Sequence, residues 1–181
     1  SEDNILREIY DSCQNGDING NFGTHQAALA TAAVVLDTMP ETKEMIDWVF
    51  QSGDYIRPPD SPTGQMMVTG GNVMRELVNE VNRDGFGNEV APQYNYLHLQ
   101  QLRGAVEALS GYSGYPTADL YQNPKFRKML TSQLQLVFCR RASAQIGDSG
   151  RCASTDFVFS VSDLMTDFEQ SKDPELAQMI Y

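Results

Sequence analysis

The sequence predicts an all-α fold, part of an α/α toroid of layered antiparallel helical hairpins, with residues 1–181 forming a single helical domain. Three observations predict it. Apolar residues recur at the helical period along almost the whole chain. Helices with one apolar face alternate with helices apolar all round, which must be buried on all sides and so imply an inner and an outer layer. Short glycine- and proline-bearing turns separate the helices, as hairpins require. There is no repeat strong enough to name a repeat family, so the layering rests on the burial pattern.

Ile5, Leu6, Ile9, Tyr10 and Cys13 form a one-sided stripe and predict the first amphipathic helix. From Ala27 through Leu36 only Thr31 is polar, so the second helix is expected to be inner. Pro40, with Glu41 and Glu44 near the positive helix end, starts a third helix whose Met45, Trp48 and Val49 face one way. Residues 53–64, with Pro58, Pro59 and Pro62, read as a long surface loop. Val73, Met74, Leu77, Val78 and Val81 resume helical spacing, which stops at Asp84-Gly85-Phe86-Gly87-Asn88. A loop through Pro92 follows, then a helix carrying Leu102, Ala105, Val106 and Leu109 that ends at residues 111–116. Phe126, Met129, Leu130, Leu134, Val137 and Phe138 define the next helix, closed by Arg140 and Arg141 at its negative end. Residues 147–150 make a turn. Phe157, Val161, Leu164, Met165 and Phe168 fit a helical face, although Phe157, Phe159 and Val161 also fit a strand. Pro174 starts a last short helix.

Composition limits the function. With 41% hydrophobic and 20% charged residues the chain has the makings of one core. The net charge of -11 argues against nucleic acid as a main partner. The longest apolar runs fall far short of the ~20 residues of a membrane span. Cys13, Cys139 and Cys152 are too few and too scattered for a disulfide framework or a zinc knuckle, although one disulfide is possible. The start, Ser1-Glu2-Asp3-Asn4-Ile5, has neither Met nor a signal peptide, so a fragment of a larger protein is expected.

Familiar site motifs fail on inspection. Asp17, Asn19 and Asn21 have calcium-loop spacing, but the required turn glycine is Phe22 and the last ligand position is Ala28. Gly85 and Gly87 follow a helix, which does not suit a phosphate loop. His25 and His98 are far apart with no cysteine near either, so no metal and no cofactor are expected. Two polar loops remain, each leading into a helix. Gly20-Asn21-Phe22-Gly23-Thr24-His25-Gln26 brings an amide and an imidazole to a helix N-terminus, a place suited to a carboxylate. Residues 84–96 bring Tyr94 and Tyr96 to the start of the next helix, where a tyrosine suits proton transfer. A structural reading stands beside this one: Asn21 caps the helix, His25 is a core histidine, and Tyr94 packs with a hydrogen bond.

Asn21 to Gln26 before an Ala- and Leu-rich helix, then Asp84-Gly85, Glu89 and Ala91-Pro92-Gln93-Tyr94 before another helix, then Ile146-Gly147-Asp148-Ser149, resemble the heparinase II/III-like polysaccharide lyases and the related alginate lyases. The resemblance spans about residues 20 to 150. It implies an α/α toroid followed by a β-sandwich domain, with β-elimination of uronic-acid-containing chains in the cleft between them. Asn21, with His25, would then neutralise the uronate carboxylate and stabilise the enolate-like intermediate. Tyr94 would take the C5 proton, protonate the leaving oxygen, or do both. Gln26, Glu89, Tyr96 and Arg83 are the expected substrate-binding and orienting residues. A free tyrosine has a pKa of about 10, so base work needs a cationic or hydrogen-bonding neighbour; Arg83 and Arg103 are the nearest in sequence.

The resemblance has departures. Phe22 stands where many relatives have His, and the β-sandwich with its histidine is expected to lie outside the chain, so the isolated chain is expected to be inactive. An acidic polysaccharide or oligosaccharide is the expected partner, and a periplasmic or secreted location the expected setting. The competing class is a non-catalytic helical protein, either glycan-binding or a scaffold. A toroidal glycoside hydrolase needs two acids, and only Glu89 offers itself.

Overall fold

A computed structural model of the chain describes residues 1–18, 20, 22–57, 66–89, 91–139, 142–149 and 159–181. Asn19, Asn21, Pro58, Pro59, Pro62, Arg140, Arg141, Gly150, Cys152 and Phe157 lie outside the described residues. Among those described, the protein is mostly helical. Its elements are α1 (Glu2–Gln14), α2 (Thr24–Leu36), α3 (Glu41–Phe50), β1 (Tyr55–Ile56), β2 (Met67–Val68), α4 (Val73–Asn79), α5 (Pro92–Leu109), α6 (Pro124–Ser132), β3 (Val137–Phe138), β4 (Ala142–Ser143), α7 (Val161–Ser171) and α8 (Pro174–Ile180).

The chain divides into two compact units, Ser1–Glu76 with Gln101–Asp119, and Leu77–Gln100 with Leu120–Tyr181. In the first, α2 packs on both α1 and α3. Leu29, Ala30, Ala33, Met45, Ile46, Val49, Leu102 and Val106 are buried there. Each large aliphatic among them contributes about 1.5–3 kcal/mol by leaving water. Prolines and acids start the helices as the sequence implies: Pro40 is the residue before α3, and Glu41 and Glu44 fill its first turn. In the second unit α7 packs on α8 and α6 touches both, around Leu77, Phe126, Met129, Leu164 and Leu176. Asn123 caps α6, its side chain accepting from the backbone N–H groups of Lys125 and Phe126, and Asp173 caps α8 through Glu175.

The structure corrects the sequence reading in several places. The second helix is not buried on all sides: Thr31 and Val35, one turn apart, are exposed, Val35 by 65%. Small alanines let its buried face pack closely without needing cover all round. The α1 stripe is shallow, with Cys13 buried and Ile5 63% exposed. The helix expected through Phe138 ends at Ser132, passes through a 3-10 turn at Gln133–Leu136, and becomes β3, which pairs antiparallel with β4. Val137 and Phe138 suit a strand at least as well as a helix, and the hairpin partner decides between them. Tyr55 and Ile56, expected in a loop, pair with Val68 and Met67. Val161 begins α7, with Ser160 as its cap, so the helical alternative holds from that point. No helix among the described residues is long and apolar enough to cross a membrane.

Candidate functional site

In the first unit, the approach to α2 is built around Gly23. Its φ is +101°, and a Cβ there would lie 2.5 Å from the Leu102 backbone nitrogen and 2.6 Å from the Gln101 carbonyl carbon, so only glycine fits. Gln26, three residues on and 1% exposed, accepts from the Gly23 N–H at 3.0 Å and donates to the Gly71 carbonyl at 2.7 Å. Its oxygen and its nitrogen are thus both engaged in holding the helix start to the turn before α4. The Thr24 hydroxyl donates to the Gln101 side chain at 3.2 Å.

His25 is 5% exposed and meets Trp48 edge to face at 6.1 Å. Trp48 meets Tyr10 in the same way, also at 6.1 Å. The Cys13 thiol donates weakly to the His25 carbonyl at 3.7 Å. Among the described residues nothing hydrogen-bonds His25 Nδ1. Burial holds the imidazole below its ordinary pKa and so neutral, and the positive end of α2 opposes a cation in the same direction. Burial also pushes the Cys13 thiol up to about 11, which makes it a poor nucleophile.

The approach to α5, in the second unit, is arranged differently. Asn82 folds the loop by accepting the Asp84 and Phe86 N–H groups at 2.8 and 3.1 Å, and its own N–H donates to the Phe86 carbonyl at 2.8 Å. Gly87 lies against the first turns of α5. Its N–H donates to Asn95 Oδ1 at 2.6 Å, and a Cβ on it would collide with His98 Nδ1. Asn95 and His98 are buried. Burial lowers the His98 pKa to about 4, partly offset by Glu80. The Asn88 amide donates to the same Glu80 at 2.9 Å.

Around this scaffold Glu89 is exposed, Tyr94 is half-buried in the first turn of α5, and Arg83 projects into solvent with its side chain 93% exposed, 3.9 Å from Asp84. Tyr96 is buried, and its hydroxyl donates to Asp163 on α7 at 2.7 Å. The third sequence block comes to the same place. A Cβ added to Gly147 would lie 3.3 Å from the Ala91 Cβ, and the Ser149 hydroxyl closes that turn onto the Ile146 carbonyl at 2.6 Å.

The predicted site residues therefore fall into two groups. His25 and Gln26 belong to the first unit, and Arg83, Glu89, Tyr94 and Tyr96 to the second. Asn21 lies outside the described residues. Arg103, the other basic candidate, is buried in the first unit. Sequence reasoning assigned no role to Asn95, and it weighed His98 as a metal ligand, which it discounted. The signal available was a buried-type amide in the first turn after a glycine pair, placed to accept from the loop. Among the described residues no group of three or more His, Cys, Asp or Glu side chains could hold a metal ion. No protein-family model, curated protein or solved structure matches the chain.

Proposed function

We propose that the chain is the helical, toroid-type part of a polysaccharide lyase that cleaves uronic-acid-containing glycans by β-elimination. The observation that carries this reading is the meeting of two separated sequence blocks in the second unit. Gly147, from the Ile146–Ser149 block, packs on Ala91, three residues before Tyr94. Blocks that resemble one enzyme family, distant in sequence and adjacent in space, are what a shared site requires. Tyr94, half-buried in the first turn of α5, suits a group that takes the C5 proton or protonates the leaving glycosidic oxygen. The resemblance assigns Asn21, with His25, to the uronate carboxylate, a role that the burial of His25 beside Trp48 does not support. Arg83 supplies an exposed cation for an acidic glycan or oligosaccharide, against the overall charge of -11. A periplasmic or secreted setting follows from such a substrate.

A specific observation favours a second reading, a non-catalytic glycan-binding or scaffold domain. His25 is packed beside Trp48, and both polar ends of Gln26 are engaged in the fold. One experiment separates the two: incubation of the full-length protein with alginate, heparin and other uronate glycans, followed by the ultraviolet absorbance of the unsaturated product. Turnover that falls by about 100-fold or more in Tyr94→Phe supports the lyase reading. Glycan binding without product supports the second, and full activity in Tyr94→Phe removes that residue from the chemistry.

A further inference from the structure

Tyr94 and Glu89 are displayed by a loop that is fastened at several points. Asn82 ties its two sides together, Gly85 lies flush on the Lys128 carbonyl of α6, and Asn88 reaches back to Glu80. The fastening nearest the display is the bond from the Gly87 N–H to Asn95 Oδ1. Gly87 is two residues before Glu89, and Asn95 is next to Tyr94 in the first turn of α5. Successive helical residues point about 100° apart, so a buried Asn95 fixes the rotation of the turn that leaves Tyr94 half-exposed. Asn95 is 2% exposed and its bond to the Gly87 N–H is 2.6 Å, so the loop is tied directly to the start of the helix.

We infer that Asn95 is a positioning residue, which sets the spacing of Glu89 and Tyr94 through the Gly87 N–H without itself touching substrate. This rests on the lyase reading above. Asn95→Ala removes the acceptor and leaves a buried N–H without a partner. Asn95→Asp keeps an acceptor in the same place, and Gly87→Ala drives the loop away from His98 by a different route.

The test uses the full-length protein with alginate and heparin as probes. It measures kcat and KM for each variant, together with the ring resonances of ¹³C-labelled tyrosine, Tyr94 being assigned by its loss in Tyr94→Phe. The expected result is a fall in kcat of about 100-fold in Asn95→Ala with KM little changed, since a small misplacement of a reacting group acts mainly on the chemical step. Asn95→Asp recovers most of it, Gly87→Ala reproduces the loss, and the Tyr94 resonance shifts in the two impaired variants. If Asn95→Ala does not fold, Asn95→Ser, which lacks the reach but stays polar, takes its place. Wild-type turnover that Asn95→Ala leaves intact overturns the inference and spares the lyase reading. So does equal inactivity of Asn95→Ala and Asn95→Asp with an unmoved Tyr94 resonance. A wild-type protein silent on every glycan overturns the lyase reading, and the positioning role falls with it.

Discussion

At the approach to α2 the polar side chains that follow the loop, His25 and Gln26, are both buried. At the approach to α5 burial falls on Asn95 and His98, while Tyr94 keeps partial exposure and Glu89 is exposed. Both segments read alike in sequence, as glycines and amides leading into a helix. The difference lies in which residues anchor the loop. In the first, the anchor is the glutamine in the helix's first turn, and the histidine before it packs on Trp48. In the second, the anchor is Asn95, with His98 packed against Gly87, and Tyr94, one residue before Asn95, keeps partial exposure. One lead-in is a structural joint and the other a display surface.

Breaking the joint is expected to have the largest effect. Gly23→Ala puts a Cβ against the Gln101–Leu102 backbone at a φ of +101°. Steric overlap with backbone and an unfavourable φ together cost about 3 kcal/mol or more, a large part of the roughly 5–15 kcal/mol that holds a domain folded. Urea denaturation should show the loss directly. A variant as stable as wild type would mean that the α2 approach is not held as described.

Gln26→Ala comes next. It leaves the Gly23 N–H and the Gly71 carbonyl, both in buried residues, without their partner, at about 2–4 kcal/mol in total. Glycan affinity measured where the variant is still folded should be unchanged. A selective loss of binding, with stability intact, would return Gln26 to the substrate contacts that the sequence suggested.

The two histidines make the comparison a matter of pH. His98 has its pKa lowered from 6.5 to about 4 by burial, with Glu80 opposing, and His25 is lowered by burial at a helix N-terminus. In the unfolded chain each takes a proton near 6.5, while the folded protein resists it. Between about 4 and 6.5 the unfolded state therefore binds more protons, and stability rises with pH. The contribution is complete above 6.5 and is lost as pH falls through that window. For His98 it amounts to about 3 kcal/mol. Carboxylates titrate in the lower part of the same range, so the readout is the difference between wild type and His98→Gln, which should flatten the profile. Parallel profiles would place His98 in a wetter environment than its packing against Gly87 implies.

Much of the fold was legible because helical periodicity is local. The starts of α3 and α8 follow from Pro40 and Pro174, whose backbone preferences act within one turn. What escaped was decided at a distance. Val137 and Phe138 became a strand because Ala142 and Ser143 pair with them, and no pattern within the helix stripe announces that. The same holds for the site. Tyr94 could be nominated from its place after a glycine loop, but Gln26 could not be known to bridge Gly23 and Gly71, since Gly71 lies 45 residues away. Nor could Asn95 be chosen over Tyr94 as the anchor until the loop's donors had positions.

The smallest expected change in stability is the one that bears most directly on display. Glu89 is exposed, and among the described residues no ion pair or hydrogen bond holds its side chain, so Glu89→Gln should alter unfolding free energy by less than about 0.5 kcal/mol. Tyr94→Phe removes only a hydroxyl from a half-buried ring and should cost about 1 kcal/mol at most. If the α5 approach is a display surface, these two substitutions nevertheless lower turnover of a uronate glycan, Tyr94→Phe more than Glu89→Gln, because a proton-transferring hydroxyl has no substitute and an orienting carboxylate has a partial one in the amide. The α2 approach should behave in the opposite way, with stability falling faster than function. Urea midpoints and product absorbance on the same four variants, Gly23→Ala, Gln26→Ala, Glu89→Gln and Tyr94→Phe, test the contrast. Should Glu89→Gln and Tyr94→Phe prove as destabilising as Gln26→Ala, both approaches are joints, and the helical protein is better read as a scaffold.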